Sequence, residues 1–199
     1  WLGLLPFGSH LAKASLSTLQ VYIKDDPFLG WDTTHYGFLL AANSSPNLIL
    51  PFMGGAMFDR GSHRRTTLAF LFLAFLGQLI FAGAVTLRSF PLAMLGQLVL
   101  GTGAGCIVVA QRALISRNFH GRELTFGLGA SVALAAASKL IGRATLAPVA
   151  EAYDSYPLAV WCVSGAVLFS CCCGLVYAHL SFVHEKALAA AASAEDSPT

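Results

Sequence analysis

Six stretches of this chain are almost uninterruptedly apolar, each about as long as a helix needs to cross the hydrocarbon core of a bilayer. They cover residues 1–22, 35–58, 66–87, 90–116, 124–150 and 157–182. Polar residues collect in the short gaps between them. None of the runs alternates with period two, so strands are a poor fit. A helix satisfies its own backbone hydrogen bonds in lipid, and a helical bundle is the physical solution. The predicted fold class is therefore an all-α membrane protein with six transmembrane helices over 1–182. The remainder, 183–199, is Ala-rich and polar at its end, and is expected to be a disordered cytoplasmic linker or tail. The first run resembles a signal peptide only in being apolar. It is long, carries Lys13 in its middle and lacks a basic leader, so it reads as a first transmembrane helix of a chain that is a fragment of something longer.

Composition strengthens this picture. The 199 residues are 56% hydrophobic and 11% charged, whereas an average soluble domain carries about 25% charged residues. That is too little polar surface for a soluble enzyme. The net charge of +2 gives no general attraction to nucleic acid. The cations that remain fix an orientation. Arg60, Arg64 and Arg65 follow run two, Arg117 and Arg122 follow run four, and Lys186 follows run six. The alternate loops hold only Lys24 and Arg88, together with Asp25, Asp26, Asp32, Glu151 and Asp154. By the positive-inside rule the basic loops and both chain ends face the cytoplasm.

The loop after run two reads Gly54-Gly55-Ala56-Met57-Phe58-Asp59-Arg60-Gly61-Ser62-His63-Arg64-Arg65. It resembles the signature loop of the major facilitator superfamily. There a glycine, an aspartate, a basic residue, a glycine and a basic pair join helices two and three on the cytoplasmic side. Gly61 comes one residue early here, and an extra residue precedes the basic pair. Gly55 lets two helices approach closely, and Asp59 at a helix end can hold arginines or a helix N-terminus. The resemblance implies a conformational latch built from Gly55, Asp59, Arg60, Arg64 and Arg65. Arg112, near the cytoplasmic end of run four, is read from its position as a gate residue.

Two further stretches resemble that superfamily. Residues 96–105 read Gly-Gln-Leu-Val-Leu-Gly-Thr-Gly-Ala-Gly, with Gln97 where the family often has an arginine tied to proton coupling. Gly101, Gly103 and Gly105 are read as close helix-packing positions. Residues 115–124 look like the loop between helices four and five, and with Gln111 the pattern is most similar to the branch that includes a lysosomal dipeptide carrier. The resemblance covers only the N-terminal six-helix half of a twelve-helix carrier, and it implies a lysosomal or vacuolar membrane.

Ionisable residues inside spans default to functional candidates. The candidates taken from them are His10 and Lys13 in run one, and Lys139 and Arg143 in run five. Lys139 and Arg143 are four apart and share a helix face. No Asp or Glu lies inside any run, which leaves a cationic lining without an internal counter-charge. Lys13, Lys139, Arg143 and His10 are therefore the candidate substrate-binding residues. Asn43 and Asn47 join them beside Pro46, where polar side chains either contact solute or restore the hydrogen bonds that proline interrupts.

No CxxC, P-loop or HExxH motif occurs. Cys171, Cys172 and Cys173 point three ways around a helix, and with Cys106 and Cys162 they fit small packing residues. Neither an enzyme nor a bound metal or cofactor is expected. The function read from the sequence is facilitative transport, by alternating access, of a small organic solute that is anionic or carboxylate-bearing. The alternative is a transport-inactive membrane scaffold or assembly subunit that keeps the bundle. The expected partners are the lipid bilayer, the solute, and a C-terminal half of the same carrier or a second copy. An accessory membrane protein is a further candidate.

Overall fold

The computed structural model describes residues 2–25, 30–48, 62–153 and 155–195. All its regular structure is helical among these residues. A 3₁₀ turn over Leu2–Leu4 precedes α1 (Phe7–Thr18) and α2 (Gln20–Asp25). Then come α3 (Thr33–Ser44), α4 (His63–Thr86), α5 (Phe90–Asn118), α6 (Gly121–Ala152) and α7 (Tyr156–Glu195). Four helices are long and apolar enough to cross a membrane: α4, α5, α6 and residues Tyr156–Val183 of α7. Apolar runs three to six correspond to these four. Runs one and two appear in shorter pieces, each with a local cause.

Run one is interrupted twice. Pro6 precedes α1, and the turn at Leu19 separates α1 from α2. The hydroxyls of Ser15, Ser17 and Thr18 donate back to the carbonyls of Ala12, Ala14 and Ala14. Such back-bonds compete with the helical ladder and bend it. Run two starts at an N-cap. The Asp32 carboxylate accepts from the Thr34 N–H at 2.8 Å and the His35 N–H at 3.0 Å, which satisfies two of the orphan donors at the helix start. It leaves the regular ladder at Ser45, beside Pro46. The rest of run two and the latch positions Gly55, Asp59 and Arg60 lie outside the described residues.

At the other end of the chain, α7 continues through 183–195, where the composition predicts a disordered linker. Alanine is the strongest helix former, and this segment is dominated by it.

α4 and α5 form a tight antiparallel hairpin. Arg88 adopts a left-handed φ of 56° just past the end of α4. The Ser89 N–H then reaches back to the Ala84 carbonyl at 3.0 Å, the closing bond of a Schellman cap. From there the order of packing is α3 on α5, α5 on α4, α4 on α7, α7 on α1, and α1 on α6.

Glycine sets how close these helices come. A Cβ on Gly101 would strike the Asn43 carbonyl, and one on Gly105 would strike the Asn47 side chain. On the other face of α5, a Cβ on Gly103 would stand 2.5 Å from the Ala74 nitrogen, and one on Gly96 2.6 Å from the Phe81 nitrogen. The glycines thus work on two faces at once, clamping α5 against α3 and against α4, as close packing requires.

Two outcomes are expected. Gly103→Val overpacks the α4–α5 contact and destabilises the full-length protein by about 1–3 kcal/mol. Gly165→Ala, with open space around it, stabilises by about 0.5–1 kcal/mol. Thermal melting in detergent separates the two by sign.

The Asp32 cap gives a pH signature. The His35 N–H, then the His35 ring, hold its carboxyl below the usual carboxylate range. The folded pKa is depressed, so the contribution is fully present above the unfolded pKa and is lost as pH falls through the folded one. Hydrogen exchange in the first turn of α3, corrected for intrinsic rate, should stay protected from neutral pH to the ordinary carboxylate range and open below it. Asp32→Ala should already be open at neutral pH.

Candidate functional site

Three of the cations inside the spans converge at one place with His10. α1, α5 and α6 surround a cavity of about 440 Å³. His10 comes from α1, Gln111 and Arg112 from α5, and Lys139 and Arg143 from α6. Ser131, Val132, Ala135 and Ala136 form the small-residue floor on α6. Lys139, Arg143 and Arg112 are exposed to the cavity side, and His10 is half-buried. Among the described residues no carboxylate forms an ion pair with any of them; the ion pair seen is His35 with Asp32 at 2.9 Å.

The position of α6 accounts for the openness. Its buried residues Ser131, Ser138, Gly142, Leu146 and Ala150 make one narrow stripe. That stripe packs on α1, where a Cβ on Gly142 would stand 3.3 Å from Ala14 and Leu11. Only 11% of its most apolar segment is buried, against 50% for α4 and α5. Lys139 and Arg143 flank the packed stripe on the uncovered side.

Lys13 lies three residues from His10 on α1 and is exposed. It is not among the cavity-lining residues.

Asn43 and Asn47 are placed elsewhere, between α3 and α5. The buried Asn43 amide donates to Gln97 Oε1 at 2.9 Å. The Asn47 amide donates to the Asn43 carbonyl at 3.1 Å, and Ser45 Oγ reaches the Ala42 carbonyl at 3.4 Å. Ala42 is four residues before Pro46, so its carbonyl is the one that proline leaves without an N–H partner. The Ser45 hydroxyl therefore serves the carbonyl that the break exposes, while the Asn43 amide ties α3 to α5. Neither asparagine is among the residues lining the cavity.

Gln111 does more than its sequence position indicates. Its amide donates to the carbonyls of Leu2 and Gly3 at 3.1 and 3.4 Å. Ser170 Oγ serves the Leu4 carbonyl at 3.2 Å and accepts from the Gly8 N–H at 2.8 Å. The interrupted start of run one is satisfied by side chains of α5 and α7, as lipid burial demands. The signal available in the sequence is a glutamine and a serine inside apolar runs, together with a Pro-broken segment.

Of the latch positions, Arg64 and Arg65 are described. Arg64 places its guanidinium 5.0 Å from the centre of the Phe182 ring of α7. Arg65 is exposed. At the same end of the bundle, Arg117 of α5 contacts the His63 ring at the start of α4.

The buried amide pair supports a direct test. Asn43→Leu or Gln97→Met alone leaves a buried polar partner unsatisfied and should cost about 1–3 kcal/mol. The double variant removes both partners and should recover most of that loss. Melting temperatures that simply add across the two substitutions would show that this bond carries no coupling.

Comparison with known proteins places these features. The chain matches the Major Facilitator Superfamily over residues 2–198. It is 32% identical over 196 residues to the lysosomal dipeptide transporter MFSD1 of Mus musculus, covering 92% of this chain and 41% of that protein. The Danio rerio protein of the same name is 29% identical over 193 residues, with 92% and 41% covered. The Homo sapiens protein is 33% identical over 132 residues, 66% of this chain and 28% of that protein. The chain thus spans about 41% of the length of the first two relatives it matches.

Proposed function

The chain belongs to the major facilitator superfamily, and from that premise we propose that it forms the N-terminal helical half of a facilitative carrier for a small, carboxylate-bearing organic solute. The observation that carries this reading is the cavity in which Arg112, Lys139 and Arg143 meet, with no carboxylate paired to them among the described residues. Intramembrane cations in this position call for an anionic partner. A guanidinium and an ammonium converging on one space hold a carboxylate by charge-assisted hydrogen bonds. A dipeptide, the solute named for the related proteins, ends in such a carboxylate. Its ammonium end would then be met by the second half, for which the uncovered face of α6 provides the docking surface.

Solute bound near the midplane would pass across by rocking of one half against the other. The basic loop around Arg60, Arg64 and Arg65, with Asp59, acts in this reading as the latch of one of the two states, and Arg112 as a gate residue. Gln97, tied to Asn43, carries no titrating group, which favours transport without proton coupling. The charge distribution between loops favours a cytoplasmic position for both ends of this half. The relatives point to the lysosomal membrane.

Uptake by the full-length protein in proteoliposomes tests this. Lys139→Ala should raise the apparent KM for a carboxylate-bearing dipeptide about tenfold or more, since a hydrogen bond to a charged group contributes about 1.5–3 kcal/mol. The effect should vanish for a C-terminally amidated dipeptide. An imposed proton gradient should leave the rate unchanged. Unchanged transport by a normally expressed Lys139→Ala protein refutes the role of that residue. No uptake of any solute by a folded protein would favour the scaffold reading instead.

A further inference from the structure

The side-chain amide of Gln111 is committed to the protein at one end only. Its NH₂ group donates to the Leu2 and Gly3 carbonyls at 3.1 and 3.4 Å. Carbonyls only accept, so these two bonds decide which end of the amide is nitrogen and which is oxygen. The turn that carries them is itself held. The Leu4 carbonyl accepts from Ser170 Oγ of α7 at 3.2 Å, and a Cβ on Gly3 would stand 3.0 Å from a Leu134 methyl of α6. The amide therefore cannot turn over without giving up both of its bonds.

The other end faces the cavity. Gln111 is only 3% exposed, yet it lines the space in which Arg112, Lys139 and Arg143 meet. Its Oε1 accepts no hydrogen bond from any of the described residues, and it is not sealed off by packing. A buried amide oxygen calls for a donor. Once a solute carboxylate lies on the cations, the group beside that carboxylate is offered to this oxygen. An uncharged N–H satisfies it. An ammonium in the same place would be repelled by the three cations. An ester oxygen would bring no donor and leave Oε1 unsatisfied.

We propose that Gln111 Oε1 accepts the uncharged N–H one carbon away from the solute carboxylate, so that this half selects N-acylated amino acids as a class, with dipeptides as one case of it. The inference rests on the proposed carboxylate site and adds the atom next to it. The acceptor is held in place before solute arrives, which lowers the ordering cost of the bond. A site that hydrogen-bonds a solute N–H also rejects the analogue that lacks it, because the acceptor is then left unpaired. An N-acetyl amino acid carries no ammonium, so it makes no demand on the second half for that end.

Isothermal titration calorimetry on the detergent-purified full-length protein reads this out. N-acetylalanine should bind about tenfold more tightly than O-acetyllactate, which keeps the shape and the carboxylate but has an oxygen in place of the N–H. Free alanine should bind at least about tenfold more weakly than N-acetylalanine. Gln111→Met, an unbranched side chain of similar length, should bring N-acetylalanine and O-acetyllactate within about twofold of each other by weakening the former. A glutamine that serves only the Leu2–Leu4 turn would instead weaken both ligands alike and leave their ratio unchanged, which overturns the proposal. So does equal binding of the two ligands, tight binding of alanine or no binding of N-acetylalanine by the unaltered protein. Those comparisons need no variant and stand if Gln111→Met does not fold. N-acetylalanine amide separates this inference from the one beneath it. Its tight binding would refute the carboxylate site, while the comparison of N–H with ester still tests Gln111.

Discussion

In a bilayer core no water is present to take up a backbone carbonyl that loses its helical partner, and each such group costs several kcal/mol. The arrangement of this bundle follows from that constraint. At two interruptions among the described residues, a nearby side chain supplies a donor to the exposed carbonyls. Gln111 and Ser170 do this for the turn at Leu2–Leu4, and Ser45 and Asn47 for the break at Pro46. Gln78 adds a bond from α4 to the Val160 carbonyl of α7. Glutamines and asparagines, rather than charges, hold the interior together. The charged side chains are thereby released from structural duty and can gather at the cavity.

α5 is the spine on which this depends. Its glycines let α3 and α4 approach on two faces, and its Gln97 and Gln111 bond to α3 and to the start of the chain. The same helix carries Arg112 into the cavity. Packing, hydrogen bonding and candidate chemistry are stacked along one element, so a change in the close contacts of α5 would be felt at the site as well. α6 is the opposite case. It is held by a narrow stripe and leaves the face that bears Lys139 and Arg143 uncovered.

Much of this is legible in the sequence because membrane helices are specified by long, simple signals. Spans three to six are readable as runs of apolar residues, and the glycines of 96–105 as packing positions, because both readings need only local spacing. Lys139, Arg143 and His10 stand out because an ionisable group inside an apolar run is costly to keep there. Their meeting with Arg112 depends on which helices pair, and spacing along one helix does not encode that. Asn43 and Asn47 carry an ambiguous signal, since an amide beside a proline serves solute or backbone equally well until the neighbouring helix is known. Gln97 opposite Asn43 decides the hydrogen bonding. The shortening of run one is hidden for a similar reason. Ser15, Ser17 and Thr18 look innocuous in composition, and their back-bonds to the preceding turn are local features that no apolar run displays.

The uncovered cations of α6 also bear on how the protein reaches the membrane. At the centre of a helix entering the bilayer, lysine and arginine each oppose insertion by about 2.5–3.5 kcal/mol, whereas a leucine or valine favours it by only about 0.3–0.6 kcal/mol. Lys139 and Arg143 therefore offset the contribution of many of the apolar residues around them. Of the four long helices, α6 has the least margin to partition on its own. Its entry leans on α1, against which Gly142 packs, and on α7, which follows after a short turn. The two cations proposed to attract a solute make this helix a reluctant guest in lipid, one that depends on its neighbours to receive it.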